Sequence, residues 1–285
     1  MATLRDIKRR ISSIAKTQQI TRAMQMVAAS RLKKSQETAI SWRAYSQRMS
    51  QVFERVLSRT AQGAHPLLEV REPHKLELFV ITSDKGLCGG FNLAMCQKVE
   101  QFIAGNRHNF EEISLTVMGK KGRDYFKRRP VKLREDSGDI PRDPAREWVS
   151  AVTRDLTERY RAETFDTCYL CYHGFKSVLQ QVVVMDKLLP LKEPGAETLP
   201  IDYLFEPDRQ SVLDAVIPRY LEIRVATALY ESTTSENAAR MAAMDQASKN
   251  ARDMIELLTQ TYNKVRQEMI TKELMDIVGG AEALQ

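Results

Sequence analysis

The stretch MAAMDQASKNARDMIELLTQTYNKVRQEM, residues 241–269, decides the architecture. At alternating steps of three and four it reads Met241, Met244, Ser248, Ala251, Ile255, Leu258, Tyr262, Val265 and Met269, and only Ser248 is polar. Four heptads of sustained apolar seam describe a helix that lies along a second helix. The flanking sequence lengthens it, since Ser211 to Val278 contains one proline, Pro218, and no glycine. Proline has no amide hydrogen and crowds the preceding turn, so Pro218 is expected to kink or interrupt the helix. Gly279 and Gly280 are expected to stop it. From Pro218 onward such a helix extends about 90 Å.

The mate lies at the other end of the chain. Residues 3–58 contain neither glycine nor proline, and Leu4, Ile7, Ile11 and Ile14 repeat in the same three-four rhythm. The seam then meets Gln18, Thr21, Gln25 and Ala28, while the large apolar residues move to Ile20, Met24 and Val27. It therefore becomes small and polar in its middle. A helix of this span runs about 80 Å, with Gly63 and Pro66 expected to end it. A helix that long buries little against itself, so two at opposite ends of one chain are natural partners. Joined through an intervening segment, they most simply run antiparallel.

That intervening segment has an α/β texture. LELFVIT (76–82), ISLTVMG (113–119), TCYLCYHGF (167–175) and QQVVVMDKLLPL (180–191) read as strands, with IDYLF (201–205) as a short fifth. Helices are expected at about 92–103, over KKGRDYFKRR and over 145–162, where Trp148, Val149, Val152 and Leu156 share a face. Strands alternating with helices imply a mostly parallel layer, and later strands without intervening helices imply a mixed sheet. The fold class is thus α/β, a long antiparallel coiled coil of the terminal helices with an inserted Rossmann-like domain. The expected divisions are 1–60, 75–206 and 209–285.

Composition narrows the function. Of 285 residues, 43% are hydrophobic and 28% charged, enough apolar mass for a core. No run approaches the roughly 18 apolar residues of a membrane span. MATLRDIKRR lacks an apolar signal core and reads as a mature cytoplasmic start. The net charge of +6 is local: residues 1–34 carry +8 and the remainder −2. Nucleic acid, an anionic membrane and an acidic protein sleeve all fit a basic helix, although this one lacks the aromatic residues that stack on bases. Cys168 and Cys171 form a CxxC pair in a strand, where residues three apart face opposite sides, so they do not share one metal. They read, with Cys88 and Cys96, as reduced thiols packed as small hydrophobes.

The loop Ser83-Asp84-Lys85-Gly86-Leu87-Cys88-Gly89-Gly90-Phe91-Asn92 joins a strand to a helix, where α/β domains bind phosphates. It matches neither GxGxxG nor GxxxxGK[ST]. Its two readings are a phosphate cradle and a tight turn whose exposed face meets a partner. His65, His74, His108 and His173 are scattered without metal spacing, and no nucleophile has a recognisable base. No catalytic, metal or cofactor residue is expected. A nucleic-acid-binding coiled-coil scaffold and a nucleotide-binding α/β enzyme are the rival functions.

ISSIAKTQQITRAMQMVAASRLKKSQ, the loop SDKGLCGGFN, and SENAARMAAMDQASKNARDMI with YNKVRQEMITKELMDIVGGAEAL closely resemble the gamma subunit of bacterial F-type ATP synthase. The likeness covers essentially the whole chain, and the lack of an inserted regulatory cysteine segment separates it from the chloroplast form. The resemblance implies a non-catalytic rotor shaft of the central stalk, without cofactor and without nucleic acid. It implies coupling of proton flow through the c-ring to three catalytic beta subunits, for ATP synthesis or, in reverse, ATP-driven pumping. Implied partners are the alpha and beta subunits of the ring, the epsilon subunit and the c-ring of Fo. The implied location is peripheral, on the cytoplasmic face of the bacterial plasma membrane. It further implies beta contacts at Met24, Lys85, Cys88, Arg240 and Gln267, and foot contacts near the c-ring at Tyr203 and Glu206. ITKELMDIVGGAEAL is expected in an apolar bearing.

Overall fold

In the computed structural model the elements run α1 (Leu4–Leu57), β1 (Lys75–Ile81), α2 (Phe91–Asn106), β2 (Glu112–Met118), α3 (Lys120–Phe126), β3 (Lys132–Leu133), α4 (Arg146–Arg161), β4 (Thr167–Phe175), β5 (Gln181–Leu189) and α5 (Arg209–Glu282). Residues 3–57, 65–134, 138–140, 146–191 and 205–282 are described. The chain divides into two compact units, Met1–Ala29 with Arg240–Gln285, and Ser30–Ala239.

The larger unit contains one five-stranded sheet of order β3-β2-β1-β4-β5. β1 pairs in parallel with β2 and β4, β2 pairs in parallel with β3, and β5 closes the edge antiparallel to β4. The sheet is mixed, as the bare β4–β5 connection requires. β3, two residues long, is too short to leave a periodic signal in the sequence. The expected strand over 201–205 lies almost wholly outside the described residues.

Both faces of the sheet are covered, so β1 is buried at every position after Lys75. Phe79, Ile81, Cys168 and Leu170 pack with Leu156 and Tyr160 of α4 and with Ile217 and Leu221 of α5. Leu76, Leu78, Val80 and Cys171 pack with Met95 and Val99 of α2 and with Phe126 of α3. Cys168 and Cys171 therefore stand on opposite faces, and all four cysteines are buried thiols. Burial pushes the Cys171 thiol well up and the Cys96 thiol up to about 12, which keeps both protonated and unreactive.

In this unit α1 and α5 are antiparallel neighbours. Trp42 Nε1 donates to Thr227 Oγ1 at 3.1 Å, and Phe53 stacks on Tyr220 with ring centroids 3.8 Å apart. The partner's number falls as the residue's own number rises. α5 begins behind Asp208, whose Oδ1 accepts from the Ser211 backbone N–H at 2.9 Å, an N-cap that satisfies one unpaired amide.

Two features of α5 differ from expectation. Pro218 does not interrupt α5, which is continuous from Arg209 to Glu282. An interior proline costs about 3 kcal/mol, but Leu213, Ile217, Leu221 and Val225 around it are all buried in the sheet's cluster. Their packing outweighs the lost hydrogen bond. Gly279 and Gly280 do not stop the helix either; each weakens it by about 1 kcal/mol without ending it before Glu282. α1 is described as far as Leu57, Gly63 lies outside the described residues, and Pro66 opens a 3-10 turn, Pro66–Leu68.

The smaller unit is a pair of helices. Positions 7, 21 and 28 of α1 and 244, 248 and 251 of α5 are buried, and Leu4, Ile11, Ile14, Gln18, Gln25, Ile255, Leu258, Tyr262 and Val265 are half-buried. The heptad register read from the sequence is the seam. It does not shift with the large apolar residues: Thr21 and Ala28 are buried, whereas Ile20 is 60% and Val27 53% exposed. In the middle of α1 the register keeps Thr21 and Ala28 inside and turns Ile20 and Val27 outward, with Met24 half-buried at the seam's edge.

Candidate functional site

No described residues form a metal-binding group, and no described helix is long and apolar enough to cross a membrane. Of the residues singled out by sequence, Lys85 and Cys88 share one loop of the larger unit, Met24, Arg240 and Gln267 are spread along the helices of the smaller unit, with about 40 Å of helix between Arg240 and Gln267, and Glu206 stands apart ahead of α5.

In the larger unit the Ser83–Asn92 loop leaves the C-terminal end of β1. β1 lies between β2 and β4, where the direction of chain progression reverses and α/β sheets open their ligand crevice. The loop is closed on itself. The Ser83 backbone N–H donates to Asn92 Oδ1 at 2.9 Å, and Asn92 Nδ2 donates back to Ser83 Oγ at 2.8 Å. Ser83 Oγ in turn donates to the Lys85 carbonyl at 2.7 Å, and Asn92 Nδ2 reaches Cys88 Sγ at 3.3 Å. Asp84 is not an idle surface charge: its Oδ1 accepts from the backbone N–H of Lys120 at 2.9 Å and so holds the start of α3. Gly119, at φ +100, brings β2's end so close that an added Cβ would lie 2.3 Å from the Thr82 carbonyl oxygen.

Within this clamp the backbone turns left-handed at Leu87, φ 63, and at Gly89, φ 59. That conformation costs a leucine roughly 1–2 kcal/mol. Lys85 is exposed, while Cys88 is buried, so the thiol faces the chain interior. The loop is a braced turn with an exposed rim, and the phosphate-cradle reading gains no cradle residue from the geometry.

In the smaller unit Met24 is half-buried, Arg240 is buried and Gln267 is exposed. Gln25 Nε2 donates across the pair to Asp245 Oδ1 at 3.0 Å. Lys249 pairs with the same carboxylate at 2.8 Å, and its ammonium, then Gln25, holds the Asp245 carboxyl below the usual range. With equal rise per residue in both helices, this contact places Leu4 opposite Arg266. Beyond that point α5 has no helical mate among the described residues, in keeping with the exposure of Met269, which was expected in the seam. Ile270, Leu274, Met275 and Ile277 on the same overhang are exposed too.

Glu206 lies in the described turn ahead of α5 and Tyr203 falls outside the described residues. The four histidines form no cluster. His65 is buried with Nε2 3.8 Å from Asp214 Oδ1, beyond hydrogen-bonding reach, and burial lowers its pKa. His173 is buried and stacked on Phe91, and burial takes its pKa down to about 4.

One polar centre was not singled out from the sequence. Glu77 is fully buried in β1 and accepts from the hydroxyls of Ser114 and Thr116. Arg159 Nη1 of α4 lies 3.4 Å from Oε1, and Arg134 Nη1 lies 3.7 Å from Oε2. Two guanidiniums on one carboxylate fasten α4 and the end of β3 to the sheet. The signal was a lone acid inside the apolar run LELFVIT.

The fold is an antiparallel pair of terminal helices interrupted in sequence by an α/β domain with a mixed five-stranded sheet. Residues 3–284 match the family model described as ATP synthase. The chain is 44% identical over 290 residues to the ATP synthase gamma chain of Anaeromyxobacter sp. (strain K) and 40% identical over 287 residues to that of Geobacter metallireducens, covering all of both chains in each case. The chain that it resembles in the Tetrahymena thermophila mitochondrial ATP synthase central stalk/c-ring structure is 25% identical, with TM-score 0.61, 80% of this chain and 99% of that one covered. A chain of the Euglena gracilis mitochondrial ATP synthase in rotational state 3 shares the fold at TM-score 0.71 and 22% identity, with 99% and 94% covered. The chain belongs to the ATP synthase gamma-chain family.

Proposed function

We propose that this chain is the rotor of the central stalk of an F-type ATP synthase, turning proton flow through the c-ring into conformational work on three catalytic beta subunits. It performs no chemistry itself. The observation that carries the reading is the helix pair with an unbroken seam and an outward-facing apolar set at Ile20, Val27 and the α5 overhang. A shaft in a sleeve needs a stiff inside and a contacting outside.

The energetic task is a population shift. An asymmetric shaft changes a site's affinity only by touching its states differently. A proton crossing the membrane supplies about 2.3 kcal/mol per 100 mV, so several must be summed and carried as torsion. The basic first helix suits an acidic lever, and exposed ion pairs of about 0–1 kcal/mol are weak enough to exchange during rotation.

Met24, Arg240 and Gln267 on the shaft, and Lys85 and Cys88 in the loop, border the catalytic subunits. With its thiol buried, Cys88 takes part through the loop backbone. Tyr203 and Glu206 belong to the foot beside the c-ring, the α/β domain meets the epsilon subunit, and the α5 overhang runs in the apolar bearing. The chain sits peripherally on the cytoplasmic face of a bacterial plasma membrane, held there through Fo. A pull-down from native membranes is expected to bring alpha, beta and this chain in a ratio of roughly 3:3:1, as a six-subunit ring around one shaft requires. Recovery without ring subunits overturns the reading. Arg240→Ala with Gln267→Ala is expected to weaken coupling in reconstituted vesicles while leaving the chain folded; normal ATP synthesis by that variant counts against these two assignments.

A further inference from the structure

Leu87 is the left-handed leucine of the Ser83–Asn92 loop and also its large apolar side chain in solvent, 61% exposed between the buried Cys88 and Gly86. Neither property helps the chain by itself. Glycine takes this backbone without strain, and a polar side chain leaves no apolar surface in water. The Ser83–Asn92 exchange of hydrogen bonds fixes both ends of the loop and so imposes the conformation on Leu87. Strain held this way marks a contact or switch position. Leu93, in the first turn of α2, is a second exposed leucine at this end of the sheet.

We propose that Leu87 is the specificity-determining contact of the loop, an apolar knob held outward by its backbone that seats in an apolar recess of a ring subunit. This rests on the reading that the loop faces the catalytic ring. The left-handed turn aims the side chain, and the clamp keeps it aimed while load passes through the loop. A flexible loop with the same leucine would lose its register under load.

The test uses the assembled membrane complex. Leu87→Gly removes the knob and relieves the backbone, and Leu87→Asn removes the apolar surface while tolerating φ > 0. Both are expected to give intact complexes with a thermal midpoint at or above wild type, undiminished ATP hydrolysis and a loss of ATP-driven proton pumping. Leu87→Met, which keeps an apolar knob, is expected to pump as wild type does. Full pumping by Leu87→Gly overturns the proposal, as does a complex that no longer assembles with Leu87→Gly, because the leucine would then be structural. A photoreactive residue at position 85 separates this from the underlying reading. Capture of a ring subunit together with full pumping by Leu87→Gly removes only the role of Leu87. Capture of no ring subunit removes the reading and the proposal with it.

Discussion

In the Ser30–Ala239 unit, β1 is buried at six successive positions from Leu76 to Ile81, whereas in the unit of Met1–Ala29 and Arg240–Gln285 the buried positions come about once per helical turn or less. The first unit closes both faces of its sheet with its own helices. The second closes one narrow seam, fills it partly with Thr21, Ala28 and Ser248, and leaves Ile20, Val27 and the α5 overhang uncovered. Apolar burial contributes about 25 cal/mol per Å², so the first unit supplies its own stability. The second draws its form from helices that continue through it and leaves part of its large apolar set outward. A sheet unit of this kind supports a fixed loop, and a helix pair of this kind suits a surface that meets changing neighbours.

The comparison breaks most sharply at Glu77. Glu77→Ala leaves Arg159 and Arg134 without their shared carboxylate, and Arg159 is itself nine-tenths buried. Removing one partner of a buried ionic group typically costs about 3–5 kcal/mol. A urea midpoint shifted by that amount is expected. A shift no larger than that of an exposed-site variant would show that the sheet unit does not depend on its polar centre.

A second test separates the units by pH. Histidine has an ordinary pKa of 6.5, and burial in the folded chain takes that of His173 down to about 4. The folded state therefore resists protonation that the unfolded chain accepts. Stability from this source is complete above pH 6.5 and falls as the pH drops from 6.5 toward 4, at most by about 3 kcal/mol. His173→Phe, which keeps a ring against Phe91, is expected to flatten the stability difference between pH 7 and pH 4.5. An unchanged slope would place the acid sensitivity elsewhere. The helix-pair unit, whose described residues include no histidine, is expected to show none of this dependence.

A smaller effect is expected at the cross-pair hydrogen bond. Gln25→Ala removes the 3.0 Å bond to Asp245 but leaves that carboxylate with Lys249 and solvent. The loss should be about 0.5–1.5 kcal/mol in a denaturation experiment. A larger value would mean that the polar middle of the seam grips more tightly than its exposure indicates.

Much of this contrast was legible in the sequence. The seam from Met241 to Val265 was readable because 3.5-residue periodicity survives any detail of packing, and β1, β2, β4 and β5 because apolar runs bounded by turns do too. Met269 was misread because a periodic signal does not say where the mate ends. An interruption at Pro218 did not follow because local propensity is outweighed where neighbours pack, as around Ile217 and Leu221; no such packing accounts for the passage of α5 through Gly279 and Gly280 among the described residues. In the candidate loop the glycines announced a tight turn, but not that Leu87 would be the left-handed residue or that Asn92 would brace Ser83. Those depend on side chains meeting across nine residues. Glu77 was visible only as an exception to its own strand, and its partners come from β2, the end of β3 and α4.

The smallest expected change is the most informative about the helix pair. In α1 the apolar residues Ile20 and Val27 stand one position before the buried Thr21 and Ala28, so a rotation of the helix by one residue, about 100°, would exchange the two sets. If the heptad seam is correct, Ile20→Ser with Val27→Ser touches only solvent-facing positions and changes stability by no more than about 0.5 kcal/mol per site. If the pair instead packs on its largest apolar residues, the same variant puts two hydroxyls into the seam and costs several times more. Isothermal denaturation decides between them. In the assembled complex the double variant should also lose rotational coupling while keeping the chain's fold, because a shaft that reserves its bulk for the outside depends on those side chains only when a sleeve surrounds it. A variant that is equally stable and fully coupled would mean that the outward isoleucine and valine serve neither unit nor partner.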